Sequence, residues 1–219
     1  MKIEQLIDNI KEKLLFFSEM GGEGFFFSSP SENNFKELKA LEREITNCRK
    51  CRLFSSRTNL VFGQGNSDAD LMFIGEAPGE DEDRVGEPFV GKAGQLLTKI
   101  IKAMNLTRAD VYITNVVKCR PPSNRNPRED EIKQCWPYLI RQINLIRPKI
   151  IVALGKIAAQ ALLDDKSPIS YLRGNFYQFQ NIKVIPTYHP AYLVRNESNT
   201  ELKRKVWHDM KKVMAFLNQ

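Results

Sequence analysis

The chain has 219 residues, 42% of them hydrophobic, enough for one substantial domain with its own core. Lys and Arg are spread along the length and give a formal charge of +7, which suits a folded face that meets a polyanion. No stretch approaches the roughly 20 apolar residues of a membrane span, and Glu4 and Asp8 beside Lys2 do not resemble a secretory signal; the expectation is a cytoplasmic protein whose four cysteines serve metal or cluster ligation rather than disulfides.

Ile3, Leu6, Ile7, Ile10, Leu14 and Phe17 recur at helical spacing and predict an amphipathic helix, a candidate docking or partner contact. Residues 21–34 have linker composition apart from Phe25–Phe27, which are expected to rest on the main domain. Residues 1–34 are therefore read as a helical extension with its linker, and residues 35–219 as the main domain. Asn34 and Glu37 resemble an N-cap with its reciprocal partner, opening a helix to about Asn47.

Four short apolar runs follow, at 70–75, 110–117, 149–155 and 183–189. Helical patterns separate the first three, through Leu96–Met104 and Ile132–Ile146. A shorter helix, Ile157–Leu163, and a hairpin around Arg173 and Gly174 lead to the fourth. This succession predicts an α/β fold, a three-layer α/β/α sandwich around a mainly parallel four-stranded sheet. Ligands in such sheets bind beyond the carboxyl ends of the strands, which here carry Gly75-Glu76, Asn115, Gly155 and His189-Pro190. A last helix, with Val206, Met210, Val213, Met214 and Leu217 on one face, reads as ordinary packing; it also carries His208.

The stretch 75–94, GEAPGEDEDRVGEPFVGKAG, reads as a binding loop because five glycines and two prolines interrupt any regular element. Its six carboxylates form an acidic island that would repel phosphate. Within it GEPFVGKA (86–93) nearly matches a phosphate loop, yet Ala93 stands where a hydroxyl should hold magnesium, so nucleotide hydrolysis is a poor reading. Phe89 can offer its ring to a flat ligand or simply plug the core. Asn115 presents both a donor and an acceptor, suited to reading an imide edge, or ties down a loop.

Cys48 and Cys51 form a C-x2-C chelate nucleus; Cys119 follows a strand directly, and Cys135 lies on a helix stripe where it could also be a small buried hydrophobe. Four thiolates suit an iron–sulfur cluster or zinc, and sequence alone does not separate the two. Arg49, Lys50, Arg52, Arg57, Lys118, Arg120, Arg125 and Arg128 cluster around them, suited to phosphate contacts.

The motifs GEAPGEDEDRVGEPFVGKAGQLL, TNVVKCRPPSNRNP and HPAYLVRN, together with the four cysteines, closely resemble the iron–sulfur uracil-DNA glycosylases of family 4, from about Asn47 to the carboxyl end. The resemblance implies a DNA repair glycosylase that flips uracil out of single- or double-stranded DNA and hydrolyses its N-glycosidic bond, a task for which a monomer suffices. It implies a structural [4Fe–4S] cluster on Cys48, Cys51, Cys119 and Cys135. It also implies that Phe89 stacks on uracil, Asn115 bonds its pairing edge and His189 faces O2. Glu76, Glu82 and Asn124 match positions that line the site or place water, Leu193 matches a residue that enters the duplex, and Arg120, Arg125 and Arg195 are expected on DNA. Ala77 stands where other branches carry a water-steering Asp. The competing reading is a non-catalytic four-cysteine zinc module that binds nucleic acid.

Overall fold

The computed structural model describes residues 30–218; the expected first helix and Phe25–Phe27 lie outside the described residues. The chain divides into two compact units, residues 1–33 and 34–219, and the site lies in the second. Helix α1, Pro30–Ile45, opens before the expected Asn34, because proline is tolerated in a first turn. Asn34 is no cap; it is buried, and its Nδ2 donates to Asp68 Oδ1 at 2.8 Å.

Six strands form one sheet: β1 (Gln64–Gly65), β2 (Leu71–Gly75), β3 (Tyr112–Asn115), β4 (Ile150–Leu154), β5 (Tyr177–Phe179) and β6 (Ile182–Thr187), ordered β1-β3-β2-β4-β6-β5. The four expected strands make its parallel centre; β1 and β5 are added antiparallel at the edges. β5 and β6 form a hairpin, so the chain reverses near Gln180 rather than at the expected Arg173 and Gly174, which instead follow a short helix.

The remaining helices are α2 (Glu80–Val85), α3 (Lys92–Ala103), α4 (Glu129–Ile146), α5 (Lys156–Leu163), α6 (Ile169–Leu172), α7 (Pro190–Arg195) and α8 (Thr200–Leu217). Strand side chains alternate between two cores. Met72 and Ile74 pack with α1, α4 and α5 on one face, whereas Leu71 and Phe73 pack with α3 and α8 on the other. Burial on both faces explains why the four parallel strands read as continuous apolar runs. No helix among the described residues is long and apolar enough to cross a membrane.

Candidate active site and cysteine centre

The parallel strands end on one side, and register sets Gly75 beside Asn115. From β2 the chain crosses to β3 on one side, and later to β4 on the other, so the gap beyond β2 is a topological switch point. A cleft of about 320 Å³ opens there, lined by Glu76, Ala77, Glu82, Phe89, Asn115, Asn124, Arg125, His189 and Arg195, among others. Every residue expected at the base site is thus brought together.

Asn115 is 1% exposed, and its Oδ1 is a buried polar atom with no hydrogen-bond partner among the described residues. Gly75 makes its placement possible. A Cβ at Gly75 would fall 2.4 Å from Asn115 Oδ1 and 2.5 Å from the Phe89 ring, so any side chain would fill the floor of the cleft. Phe89 itself has φ +55°, a left-handed conformation that costs an ordinary residue about 1–3 kcal/mol. Arg108, which sequence reasoning did not single out, holds it there: Nη1 donates to Phe89 O at 3.1 Å and Nη2 to Pro88 O at 2.7 Å.

His189 follows β6, and Pro190 starts α7. Its Nδ1 accepts the Ala191 N–H at 3.1 Å, so in the neutral ring the proton sits on Nε2. Burial, and secondarily the charge of Arg195, push its pKa down to about 4, so the imidazole is neutral at physiological pH. Its ring stacks on Phe89 with centroids 5.6 Å apart and planes 30° off parallel. Gly155, at φ +88°, lets the chain pass close by; a Cβ there would meet His189 Cβ at 2.9 Å.

The acidic stretch differs from the loop expected of it. Residues 80–85 are helical, and four of its carboxylates act as braces. Glu82 Oε1 accepts the Val90 and Gly91 amides, each at 2.9 Å, and Oε2 accepts the Gly79 amide at 3.1 Å. Those at 90 and 91 are amides a phosphate loop would offer to its ligand, which accounts for the near-match to that motif. Having spent its oxygens this way, Glu82 is a poor candidate for activating water. Asp83 holds the Thr58 amide, Glu80 pairs with Arg120, and Asp81 pairs with Arg84. Glu76 is different. Its carboxylate lines the cleft and makes no hydrogen bond among the described residues, and burial, opposed by Arg195, raises its pKa to about 7.

Several basic residues are also committed. Arg125 grips the fully buried Glu131 carboxylate with Nη1 at 2.8 Å and Nη2 at 2.6 Å, a fork that fixes the cleft wall. Arg120 Nε donates to Asn124 Oδ1 at 2.8 Å, and Asn124 keeps a left-handed φ of +53°. Lys118, expected among the phosphate contacts, is 1% exposed. Its Nζ donates to Thr114 Oγ1, Asn115 O and Gln142 Oε1, and thereby holds the backbone of Asn115. Burial pushes Lys118 down to about 7. Arg195 is exposed at the cleft. Leu193 does not stand where a residue entering the duplex must: it is 3% exposed.

All four cysteines are free and line one cavity, with Cys119 and Cys135 buried and Cys48 and Cys51 half-buried. Donors converge on the sulfurs. Arg57 Nη1 lies 3.2 Å from Cys119 Sγ, the Lys118 amide 3.4 Å from Cys135 Sγ, and Tyr138 OH 3.6 Å from Cys48 Sγ. Burial raises the pKa of the Cys51, Cys119 and Cys135 thiols, that of Cys135 to about 11, so without a ligand they stay protonated. No three His, Cys, Asp or Glu side chains among the described residues are arranged to hold a single metal ion.

The family model for the uracil DNA glycosylase superfamily matches residues 62–211. A type-4 uracil-DNA glycosylase of Thermotoga maritima is 46% identical over 184 residues, covering 83% of this chain and 95% of that protein. One from Archaeoglobus fulgidus is 45% identical over 186 residues (81% and 92%), and one from Sulfurisphaera tokodaii 48% identical over 185 residues (80% and 83%). With a switch-point cleft that gathers Glu76, Phe89, Asn115 and His189, and with these matches over most of its length, the chain belongs to the uracil DNA glycosylase superfamily.

Proposed function

We propose that the protein is a uracil-DNA glycosylase that draws uracil from DNA into this cleft and hydrolyses its N-glycosidic bond, leaving free uracil and an abasic site. The observation that carries this reading is the orphaned Oδ1 of Asn115. A buried acceptor without a partner costs about 1–3 kcal/mol, and a ligand N–H removes that cost. Uracil offers N3–H to such an acceptor and O4 to the amide donor beside it. Cytosine carries the opposite pattern on both atoms, so the same amide that holds uracil rejects it.

Extrusion comes first, since a base within the stack cannot be reached; it costs a few kcal/mol, least for a mispaired or single-stranded uracil. Phe89 then stacks under the ring. As the C1′–N1 bond breaks, its electron pair leaves with uracil, and negative charge gathers on O2. The Nε2–H of neutral His189 donates to O2, an interaction that strengthens toward the transition state. The sugar becomes oxocarbenium-like. A water oxygen bonds to C1′ and gives its proton to the ionised carboxylate of Glu76, which takes the role of the Asp absent at Ala77. Asn124, held by Arg120, lines the wall where that water enters. Exposed Arg195 meets the phosphates, whereas Arg120 and Arg125 shape the wall and reach DNA only secondarily.

We further propose that Cys48, Cys51, Cys119 and Cys135 hold a [4Fe–4S] cluster. Four thiols lining one cavity supply the thiolate set that such a cluster takes. Bound there, the cluster supplies cross-linking of three chain segments rather than chemistry on the base. The Arg57 and Lys118 N–H groups would donate to the ligating Cys119 and Cys135 sulfurs and so tune the cluster. We also propose that the protein works as a monomer in the cytoplasm, because one chain supplies every residue that lines the cleft.

The test is incubation with a uracil-containing oligonucleotide followed by alkali. Strand scission is expected both for single-stranded uracil and for uracil opposite guanine; intact strands in both cases would mean that the cleft serves another reaction.

A further inference from the structure

The family resemblance assigns Leu193 to enter the duplex, and the fold buries it instead. At about 100° per residue, α7 turns Ala191 and Arg195 toward the cleft that they line. Leu193 then lies roughly 180° around the helix from them, and it is 3% exposed. Presenting it to DNA would require α7 to rotate or unwind.

Resting on the glycosylase reading, we propose that Tyr192 is the side chain that packs against the DNA base stack beside the extruded nucleotide. It is 40% exposed, on the same turn as Ala191 and Arg195. No other exposed aromatic among the described residues belongs to an element that lines the cleft. Its ring leans on Tyr188, with centroids 5.5 Å apart and planes at 42°, and Tyr188 immediately precedes His189. Behind Tyr188 stands the Arg173 guanidinium, 5.6 Å from the ring centre. Arg173 is itself locked to buried Asp209 and donates to Lys205 O at 2.9 Å. The ledge is therefore built from the core outward, ending in a ring on the surface. An aromatic face accepts any base, as a step that must work in every sequence context requires. Tyrosine also has few rotors to freeze on contact.

The test compares Tyr192→Ala, Tyr192→Phe and Leu193→Ala by single-turnover excision from a U·G duplex and from the uracil strand alone. A second readout is the emission of 2-aminopurine placed beside a stable abasic analogue in a duplex. Tyr192→Ala should lower the duplex rate about tenfold or more beyond its effect on the single strand, with an unchanged melting temperature. Wild type and Tyr192→Phe should quench the 2-aminopurine, and Tyr192→Ala should not. Equal losses on both substrates, no loss on either, or quenching abolished by Leu193→Ala and kept by Tyr192→Ala would each overturn the proposal. A wild-type protein that excises uracil from neither substrate refutes the glycosylase reading instead, and the fluorescence alone then decides the role of Tyr192.

Discussion

Glu76→Gln separates a working carboxylate from a merely well-placed one. Its pKa of about 7 leaves about a tenth of the protein ionised at pH 6 and about nine tenths at pH 8. If the ionised form takes the proton of the attacking water, the single-turnover rate rises about tenfold between those limits and then levels. His189, neutral above about pH 4, adds no opposing limb in this range. In Glu76→Gln the rate falls by about 10²–10⁴ and the rise disappears. Stability supplies a second reading. Folded Glu76 binds its proton more tightly than the unfolded chain does, so its contribution declines as pH climbs from about 4.5 to about 7, by at most roughly 3 kcal/mol. His189 acts in the opposite sense, because the unfolded chain binds that proton more tightly, and its contribution grows from about pH 4 to 6.5. The Glu76 contribution is therefore taken as the difference between wild type and Glu76→Gln in urea melts across this range. A Gln variant that keeps the pH-dependent rise in rate would refute the role of Glu76 in water activation.

His189→Ala should lose about 10²–10³ in excision rate while duplex affinity changes little; equal losses in rate and affinity, measured by stopped flow and by fluorescence anisotropy, would make it a DNA contact instead. Cys135→Ser should lower the iron and sulfide content and the melting temperature of the purified protein, since three segments lose their cross-link. Iron and sulfide content unchanged in that variant would remove Cys135 from the ligand set.

The parallel centre of the sheet was legible because strands covered on both faces must be apolar throughout, as Ile150–Leu154 is. Strand ends then located Asn115 and His189 without any contact information. What escaped prediction depends on partners distant in sequence. β1 is two exposed residues defined only by pairing with β3, and β5 is three, so neither carries a period. α2 has no apolar stripe; its local support is Glu82 reaching back to the Gly79 amide, so composition alone read it as a loop. The burial of Leu193 was not legible because six residues are too few to show which face of a helix is buried. Lys118 and Arg125 were counted as free cations, yet Gln142 and Glu131 claim them, and nothing in the local sequence announces a buried acceptor. Arg108 was overlooked for the same reason: its partners are backbone carbonyls 19 and 20 residues earlier.

The central claim is that Asn115 reads the pairing edge of uracil. It is tested most directly by measuring free base released by wild type and by Asn115→Asp from otherwise identical strands carrying uracil or cytosine. Wild type should release uracil and no cytosine. Asn115→Asp should release uracil at least about 10²-fold more slowly, because a carboxylate faces O4 where an amide donor stood. Uracil release at the wild-type rate from Asn115→Asp would contradict the account.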